Sequence, residues 1–360
     1  MDGIGIVIPA KDEALLLRWS LTSLGRTIDH LRAVSPGMSV QVVLIDDHSV
    51  DDTRAIALDI AAEVDWLEVV AGEGHGEAAA RTAGADLLFQ RNPGLTWVIA
   101  ADVDQSYEPG WLASWIEAIG DSTVGAIGGR DRISGESARR HPHAAIVLAE
   151  LELLTVRIES VVGLTNLNGH NHAVSRNSYA AAGPYRQVFR SLSPGAPVVP
   201  IVGADWDLGV RLRRLGHPLR FHFNATVYVG RRFHEAPLDV VSGQTYNRAF
   251  GNTGRSYVGE GTVGVQTSTT DDLDAARLLG IRKALLHHMA KPLIVVPALI
   301  DRPAFGPVLG SELWSEMRNW LATNPASSFD DDRDDTLLRV GPAFVDSFLA
   351  PLCAAFDTPL

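Results

Sequence analysis

The stretch Leu95–Trp111, which reads LTWVIAADVDQSYEPGW, decides the fold of this chain. Its apolar run over 97–100 predicts a buried parallel strand that ends at Asp102-Val103-Asp104. Alternate side chains of an extended chain point the same way, so we expect Asp102 and Asp104 to face one point beyond the strand, at the edge where open α/β sheets bind ligands. Two carboxylates facing one point suit Mg²⁺ or Mn²⁺ held with a diphosphate, and the alternative is a pair of solvated loop acids.

Strands and helices alternate around this stretch. Short β-branched runs predict strands, and apolar residues at helical spacing predict helices. Strands are predicted over 4–9, 39–45, 66–70, 219–224 and 226–229, and helices over 14–24, 51–62, 77–89, 109–119, 138–163, 206–215, 271–289 and 310–321. Residues 189–202 are rich in Pro, Gly and Ser and predict a loop over the site. In the first half, this alternation indicates a parallel sheet covered by helices on both faces.

Composition excludes several classes of protein. The chain has 360 residues and a net charge of −12, so we expect no nucleic-acid partner. Its single cysteine, Cys353, fits a reducing compartment, which favours a cytoplasmic location. The first residues lack the basic and apolar regions of a signal peptide, and no apolar run reaches the roughly 18 residues of a transmembrane segment.

Two common nucleotide-binding signatures do not fit. A dinucleotide-binding fold needs G-x-G-x-x-G directly after the first strand, where this chain has PAKDEA. The glycines at 72, 74 and 76 follow the third strand and lack the required spacing. The phosphate loop G-x-x-x-x-G-K-[ST] is also missing from the sequence. We therefore do not expect a nicotinamide-dependent dehydrogenase or a P-loop enzyme.

Six blocks occur together in one order. They are IVIPAKDEA (6–14), VVLIDDHSVDDT (42–53), GEAAARTAGADLL (76–88), ADVDQSYEPGWL (101–112), NGHNHAVSRNSYAAAGPY (168–185) and GADWDLGVRLRRLG (203–216). The ordered set resembles the family-2 glycosyltransferases of the GT-A fold. That resemblance implies an α/β fold with a Rossmann-like, mostly parallel central sheet flanked by helices, and a mainly helical C-terminal extension. It implies a transferase domain over 1–235, with donor half 1–110 and acceptor half 111–235, and a strand over 168–175. Beyond 235 the resemblance fades, and the apolar faces of the helices predicted over 271–289 and 310–321 indicate an extension over 236–360 that packs on the core or forms a homodimer.

The resemblance also assigns residues to the nucleotide-sugar donor. Asp47 would accept a hydrogen bond from the N3–H of uracil or a ring N–H of guanine, although Asp47 is also a good helix-capping residue. Arg81 would approach the nucleotide, its alternative being a solvated helix face. The implied nucleotide-sugar-binding residues are Pro9, Ala10, Glu13, Asp47, Arg81, Asp102, Val103 and Asp104, and the implied ligands of Mn²⁺ or Mg²⁺ are Asp102, Asp104 and His234.

On the acceptor side, the resemblance makes Asp205 the catalytic base. A carboxylate there would take the proton as the acceptor attacks the anomeric carbon from the face opposite the diphosphate, which inverts that carbon. The competing role for Asp205 is a helix N-cap. Trp206, Asn171 and His170 are the expected acceptor-binding residues, with core packing and satisfied strand side chains as the alternatives. The family usually has Glu where this chain has Ala204, which leaves the acceptor class open.

We therefore expect a metal-dependent transfer of one sugar from a UDP- or GDP-sugar to a hydroxyl or amine of a small or lipid-linked acceptor. Four alternatives remain open. They are a retaining transferase of the same fold, of the glucosyl-3-phosphoglycerate synthase kind; a sugar nucleotidyltransferase; a non-catalytic sugar-nucleotide-binding protein; and a peripheral membrane protein that attaches through 286–300.

Overall fold

A computed structural model describes residues 3–120, 123–186, 188–191, 198–229, 236–243, 270–325 and 336–360. The chain divides into two compact units. The first unit comprises Met1–Ser134, Asn166–Val188 and Val202–Gly230, and the second comprises Gly135–Thr165, Phe189–Ile201 and Arg231–Leu360. A domain boundary near residue 235 stays a prediction from sequence.

The strands of the described residues form two sheets. They are β1 Gly3–Ala10, β2 Ser39–Asp46, β3 Leu67–Ala71, β4 Trp97–Ala101, β5 Gln105–Tyr107, β6 Ala126–Ile133, β7 Asn171–Ser175, β8 Val188–Ser191, β9 Val198–Val202 and β10 Leu219–Val229. Eight of these strands form the main sheet, in the order β3-β2-β1-β4-β7-β6-β10-β5, and β8 pairs with β9 in a small second sheet.

The main sheet is mostly parallel, as predicted. Strands β1, β2, β3 and β4 run parallel, and β6 is parallel to β10. Strand β7 runs antiparallel between β4 and β6, and β5 runs antiparallel to β10. Because β7 reverses direction, the carboxyl ends of β4 and β6 lie at the same edge of the sheet. Seven of the eight residues of β1 are buried, which is typical of a strand covered on both faces.

Helices surround the main sheet and make up most of the second unit. In the first unit they are α1 Ala14–Val34, α2 Thr53–Glu63, α3 Glu77–Arg91, α4 Trp111–Gly120, α7 Arg176–Ala182 and α8 Ala204–Arg214. In the second unit they are α5 Gly135–Arg140, α6 Pro142–Val162, α9 Pro237–Ser242, α10 Thr270–Leu285, a π-helical turn Leu286–Ala290, α11 Lys291–Val295, a 3₁₀ turn Pro297–Asp301, α12 Phe305–Thr323 and α13 Thr336–Ala355. The predicted α/β class and helical C-terminal part are confirmed.

Several predicted boundaries need correction. Helix α1 continues to Val34 because its buried apolar positions recur every three or four residues as far as Leu31. The predicted loop over 189–202 is wrong at both of its ends, where β8 and β9 pair. The two strands predicted over 219–229 form one strand, β10, whose register shifts between His222 and Thr226. A local bulge of this kind explains the break in the sequence pattern.

Two other helix starts differ from the predictions. Helix α4 begins at Trp111, because the turn that contains Pro109 precedes the helix. Helix α12 begins at Phe305, and Gly310 interrupts it with a φ of +73°. A glycine tolerates that backbone conformation, which other residues seldom adopt. Within the described part of the chain, no helix combines the length and apolar character needed to span a membrane.

Helix α3 packs closely against the sheet. A Cβ atom on Gly84 would clash with the side chain of Val7 in β1, so glycine is needed for this approach. One turn earlier on the same helix is Arg81, which the close packing places at the carboxyl ends of the strands. The fold therefore brings a buried cation to the edge where Asp102 and Asp104 lie.

Candidate active site

The loops that follow β1 and β2 are joined by backbone hydrogen bonds. The main-chain N–H of Asp47 donates to the carbonyl of Ala10 at 2.8 Å. The carboxylate of Asp12 accepts the N–H of Val50 at 2.7 Å, and Asp12 holds a left-handed φ of +54°. The N–H of Glu13 donates to Thr53 Oγ1 at 2.7 Å. These bonds join the loop after β1 to the loop after β2, with Ala10 bonded to Asp47 and Glu13 bonded to Thr53. Pro9 precedes them in β1 and is partly buried.

Asp47 is buried at the end of this pair of strands, with 3% of its surface exposed. Its Oδ2 accepts the backbone N–H of Gly76 at 3.0 Å, which attaches the loop after β3 to this carboxylate. Its Oδ1 is also buried, and no described residue donates a hydrogen bond to it. A buried acceptor without a donor is unusual in a folded protein, and Oδ1 is the oxygen of this carboxylate that has no partner among the described residues. Asp47 does not cap α2, because the backbone N–H of Thr53, at the start of that helix, donates to Oδ1 of Asp51 at 2.9 Å.

Arg81 is the central cation of the site. Its side chain is 1% exposed, and its Nη2 lies 2.7 Å from Oδ1 of Asp102 and 2.9 Å from Oε1 of Glu77. Its Nη1 donates to the carbonyl of Gly169, which precedes β7. One guanidinium therefore joins α3, the end of β4 and the loop before β7. The solvated-face alternative for Arg81 is wrong, since the close packing of α3 buries the side chain.

The charges around Arg81 change the pKa values of the groups that it contacts. Burial disfavours the charged guanidinium, but Asp102 and Glu77 outweigh that effect and raise the pKa of Arg81. Burial raises the pKa of Asp102 to about 6, because the negative charges of Glu77 and Asp104 add to the desolvation and together exceed the attraction of Arg81. The end of β4 is thus a region of concentrated negative charge.

The expected metal ligands lie at this end of β4. Asp102 and Asp104 are both partly exposed there, with Val103 buried between them, whereas His234 lies outside the described residues. Within the described ranges, no three His, Cys, Asp or Glu side chains are grouped so as to hold a metal ion by themselves. Mg²⁺ is commonly bound by one or two carboxylates together with phosphate oxygens of a substrate. Asp102 and Asp104 supply carboxylate oxygens in a region of excess negative charge, which fits an ion bound in this way.

Asp205 lies in the first turn of α8, whose N-cap is Gly203. Asp205 is therefore inside the helix, so the N-cap role is excluded. A Cβ atom on Gly169 would lie 3.5 Å from Cγ of Asp205, so the glycine backbone approaches this carboxylate closely. Burial and the charge of Glu77 raise the pKa of Asp205, against the attraction of Arg81. A raised pKa makes this carboxylate a stronger base than an ordinary aspartate.

Asp207, two residues further along α8, has a different environment. Its side chain is fully buried and accepts hydrogen bonds from Arg186 at 2.9 and 3.1 Å and from Arg211 at 2.7 Å. Arg211 also donates to the carbonyls of Ala182 and Pro184. Asp207 therefore holds α8 against the turn after α7, and its oxygens are engaged by protein.

His170 carries a positive charge beside the strand-end carboxylates. Its Nε2 lies 3.7 Å from Oδ2 of Asp131, and the other oxygen of Asp131 accepts a hydrogen bond from Asn168 at 3.0 Å. Burial alone disfavours the imidazolium, but the interaction with Asp131 and the charges of Asp102 and Asp104 raise the pKa of His170 to about 9. The side chain is 27% exposed, so a cation is available at the site at neutral pH.

His172 is a structural residue. It is fully buried, and its Nδ1 donates to the carbonyl of Asn168 at 3.0 Å while its Nε2 accepts the hydroxyl of Tyr185 at 2.9 Å. Burial lowers the pKa of His172 to about 3, which keeps the ring neutral. The Tyr185 ring that it holds is also buried and interacts electrostatically with Arg81 and Asp205.

Two of the expected acceptor-binding residues lie in the core. Asn171 is fully buried, and its amide accepts from Trp111 Nε1 at 3.1 Å and donates at 2.7 Å to the carbonyls of Arg130 and Ala225. These bonds link the interior strand β7 to β6, β10 and α4. Trp206 is 5% exposed and packs on the inner face of α8, so it offers no open ring for stacking. Acceptor binding by these two side chains is corrected to core packing.

Three side chains at the site were not predicted. Glu77 was missed as a partner of Arg81, although the i, i+4 spacing on α3 is a sequence signal for that pair. Asp131 and Tyr185 gave no local signal, since each meets its histidine only after the sheet has formed.

Residues 5–181 match the family described as "Glycosyl transferase family 2". No curated protein gives a significant match to the sequence.

Solved structures show more distant likenesses. A mannosyltransferase from Pyrobaculum calidifontis, in complex with GDP-Man and Mn²⁺, is 16% identical with a TM-score of 0.47, over 96% of this chain and 86% of that chain. Glucosyl-3-phosphoglycerate synthase from Mycobacterium tuberculosis, in complex with Mn²⁺, UDP and phosphoglyceric acid, is 18% identical with a TM-score of 0.38, over 72% of this chain and 81% of that chain. The complex of the same enzyme with Mg²⁺ and UDP is 16% identical with a TM-score of 0.37, over 72% and 82%.

Proposed function

Residues 5–181 make this chain a member of glycosyl transferase family 2, and from that membership we propose a specific reaction. The enzyme transfers one sugar from a nucleoside diphosphate sugar to a hydroxyl or amine of a small or lipid-linked acceptor, with inversion of the anomeric carbon. The observation that supports this proposal is the position of Arg81, which contacts Asp102 and the carbonyl of Gly169. Since Gly169 lies against Asp205, the two carboxylates of the reaction share one site.

The donor lies across the ends of β1, β2 and β4 in this proposal. Asp47 receives an N–H of the base, and Pro9, Ala10 and Glu13 line the nucleoside pocket. Asp102 and Asp104 hold Mn²⁺ or Mg²⁺, with His234 as a further candidate ligand outside the described residues. Bound there, the cation supplies positive charge that offsets the diphosphate. Burial, together with the negative charges of Glu77 and Asp104, raises the pKa of Asp102 to about 6, and a cation at this position would offset those charges.

Asp205 is the general base in the proposed reaction. It accepts the proton of the acceptor hydroxyl while the acceptor oxygen forms its bond to the anomeric carbon. The bond from that carbon to the diphosphate oxygen breaks on the opposite face, and its electron pair leaves with the nucleoside diphosphate. Burial and Glu77, which raise the pKa of Asp205, strengthen it as a base. Because Asp207 is engaged by two arginines, Asp205 is the better candidate of the two.

His170 has a wider role here than acceptor binding alone. Its charge is held by Asp131 and lies near Asp102 and Asp104, where the diphosphate would be bound. An imidazolium at that place stabilises negative charge that develops on the leaving group, which is the general way in which fixed charges lower a barrier. A cytoplasmic location and a homodimer through 236–360 remain predictions from the sequence.

The anomeric configuration of the product tests the proposal. The wild-type chain is incubated with nucleotide sugars, Mn²⁺ and a panel of sugar, phosphorylated and lipid acceptors, and ¹H NMR couplings report the new linkage. We expect inversion, and loss of the product in Asp205→Asn. A product with retained configuration would favour the retaining alternative, in which Asp205 is not the base. Tight nucleotide-sugar binding without turnover on any acceptor would favour the non-catalytic alternative.

A further inference from the structure

Two arginines at the carboxyl end of β6 make no bonds through their guanidinium groups to the described part of the chain. Arg130 is partly buried and Arg132 is exposed. They alternate with Asp131, so both side chains lie on the same face of the sheet. Among the residues that the structure describes, no hydrogen bond, ion pair or ring contact engages either guanidinium. The planar set of N–H donors on each side chain is therefore available to a ligand.

Other arginines of the same unit are engaged by the protein. Arg176 donates to the carbonyls of Asn92 and Leu95 at 2.5 and 2.8 Å, and Arg220 donates to the carbonyl of Ala118 at 2.6 Å. The guanidinium fork matches the paired oxygens of phosphate and carboxylate groups. Two unengaged arginines on one face of the sheet therefore form a candidate site for an oxyanion.

These arginines lie on the face of the sheet that α3 covers. One row of paired residues crosses β1, β4, β7 and β6, and its members are Val7, Ala100, His172 and Gly128. Paired residues of neighbouring strands point to the same side of a sheet. Helix α3 lies on that side, since its Gly84 packs against Val7. Arg130 and Arg132 follow Gly128 at alternate positions, so they point to this side too.

The same face carries groups of the proposed reaction. Asp102 follows Ala100 at the alternate position and accepts a hydrogen bond from Arg81 of α3 at 2.7 Å. One strand, β7, separates β4 from β6, and neighbouring strands are about 4.8 Å apart, so the ends of β4 and β6 lie roughly 10 Å apart. A small molecule can cover that distance. An acceptor that reacts beside the end of β4 can therefore place a charged group at Arg130.

Tyr228 shows that the two guanidinium groups converge. It is paired with Arg132 in the register of β10 and β6, and its hydroxyl donates to Glu108. The hydrogen bond to Glu108 raises the pKa of Tyr228, and the positive charges of Arg132 and Arg130 oppose that effect. Both cations therefore lie near one side chain, as two arginines that hold one anion must.

We propose that Arg130 and Arg132 bind a phosphate or carboxylate group of the acceptor, so that the acceptor is an anionic compound; this inference rests on the proposed function. Phosphate and carboxylate share the geometry that a guanidinium binds through two parallel hydrogen bonds. In the proposed reaction, the diphosphate of the donor lies with the cation at Asp102 and Asp104. The arginines are two strands away from that place, which leaves them for the acceptor.

Titration of the full-length chain, saturated with Mg²⁺ and UDP or GDP, tests this inference. The nucleotide and the metal fill the donor site, so an added anion reports on a second site. Isothermal titration compares glycerol 3-phosphate and glycerate with glycerol. We expect at least one of the two anions to bind about 10- to 100-fold more tightly than glycerol, which is the factor that one or two charge-assisted hydrogen bonds provide. The tighter of the two identifies the charged group.

Vesicles distinguish a small acceptor from a lipid that carries the same anion. Binding to phosphatidylcholine vesicles that contain phosphatidic acid is compared with binding to phosphatidylcholine alone. Binding of the phosphatidic acid vesicles through Arg130 and Arg132 would place the anion on a lipid, whereas binding of glycerol 3-phosphate or glycerate alone would place it on a small molecule. Either result supports the inference, because the arginines recognise the same group.

A double variant, Arg130→Gln with Arg132→Gln, tests the two side chains directly. Glutamine stays polar but carries no charge. We expect the affinity for the anion to fall about tenfold or more, with the Kd for UDP or GDP within about twofold of wild type. Arg18→Gln is the matched control, because Arg18 is an exposed arginine of α1 and should not change anion binding. Circular dichroism confirms that each variant is folded, and if the double variant does not fold, the exposed Arg132 is replaced alone.

The outcomes separate this inference from the proposed function. Equal affinity for glycerol and for both anions, or unchanged anion binding in the double variant, would overturn the inference and leave the transferase proposal intact. Loss of UDP or GDP binding in the folded double variant would also overturn it, because the arginines would then serve the donor. A folded wild type that binds neither nucleotide would overturn the proposed function and the inference with it.

Discussion

Nη2 of Arg81 lies 2.7 Å from Oδ1 of Asp102, and both groups lie at the carboxyl edge of the sheet. The pair is unequal, because Arg81 is almost fully buried while 29% of the Asp102 side chain is exposed. A buried cation can be retained only where carboxylates and carbonyls compensate it. Arg81 meets that condition through Asp102, Glu77 and the carbonyl of Gly169. The same contacts hold the carboxylate of Asp102 in place, so in the proposed reaction Arg81 contributes to both stability and function.

Arg81→Lys should reduce both stability and activity. Lysine keeps the charge but lacks the planar set of donors that reaches three partners at once. We expect the free energy of unfolding to fall by about 2–4 kcal/mol, as for a buried pair that loses one partner. Glycosyl transfer should fall at least about tenfold, because Asp102 loses its position. Urea denaturation and initial rates on the same preparations measure the two effects.

Arg91→Lys is the matched control, since Arg91 lies on the same helix and pairs with Glu68 at the surface. Their side chains are 53% and 44% exposed, so this change should alter stability by less than about 0.5 kcal/mol. Equal losses in the Arg81 and Arg91 variants would contradict the central role of Arg81.

The first half of the fold follows closely from sequence because its signals are local. Short β-branched runs identified β1 to β4 to within about two residues, and the positions of Asp47 and Asp102 after their strands followed from those runs. Asp205 was chosen as the candidate base because it lies in an ordered set of blocks that resembles one family. The strand predictions need only residues that are neighbours in the chain, whereas the choice of Asp205 needs the order of blocks along residues 6–216.

The rest depends on contacts between distant segments. Asn171 was expected to bind an acceptor, yet its side chain is buried because β7 lies between β4 and β6. The residues next to Asn171 in the sequence do not indicate that strand order. Asp131 lies 39 positions before His170, so the pair exists only after β6 and β7 align. Sequence spacing could have revealed Glu77 beside Arg81, because that pair is helical. The alternation or periodicity of apolar residues indicates which face of a strand or helix a side chain occupies. It does not indicate which distant residue that side chain contacts.

Asp205→Asn should remove catalysis while donor binding is retained. We expect kcat to fall by about 10²- to 10⁴-fold, the usual contribution of a general base, with the Kd for nucleotide within about twofold of wild type. The base must be deprotonated to act, so wild-type activity should fall as pH falls through the pKa of Asp205. Since burial and Glu77 raise that pKa, the acid limb should lie above the range of an ordinary aspartate. A pH profile of kcat, with titration of the nucleotide, measures both effects.

Asp207→Asn distinguishes this role from a structural one. Asp207 is fully buried between two arginines, so its loss should lower stability by about 3–5 kcal/mol and should not abolish the acid limb in the protein that remains folded. An Asp205→Asn variant with an unchanged pH profile would show that another group takes the proton.

His170 should make stability depend on pH. Its pKa is about 9 in the folded chain and near 6.5 when unfolded, so the folded state binds the proton more tightly. The resulting stabilisation is fully present below about pH 6.5 and is lost as pH rises through 9. We expect His170→Gln to be less stable than wild type by roughly 1–3 kcal/mol at pH 6, and by much less at pH 10.

The difference between the two proteins is the quantity to measure, because other groups also titrate over this range. Burial lowers the pKa of Lys291 to about 7, and that residue contributes a change of opposite sign to both proteins. Urea midpoints at pH 6, 8 and 10 give the difference directly. A gap that stays constant across these values would mean that the imidazolium of His170 is not held by Asp131.

Asp104→Ala should uncouple the metal from the nucleotide. In the wild type, a nucleoside diphosphate at 100 times its Kd should stabilise the fold by about 2.7 kcal/mol, which raises the unfolding temperature by several degrees, and Mn²⁺ should enlarge the effect. Removing one of the two carboxylates should abolish the part of the stabilisation that depends on Mn²⁺. The binding of the base to Asp47 should be unchanged. Asp59→Ala removes an exposed carboxylate from α2 and should behave as wild type. Thermal unfolding with and without Mn²⁺, and with EDTA, measures the coupling. If Asp104→Ala keeps the full Mn²⁺-dependent shift, the metal is held by other residues and the assignment of Asp104 fails.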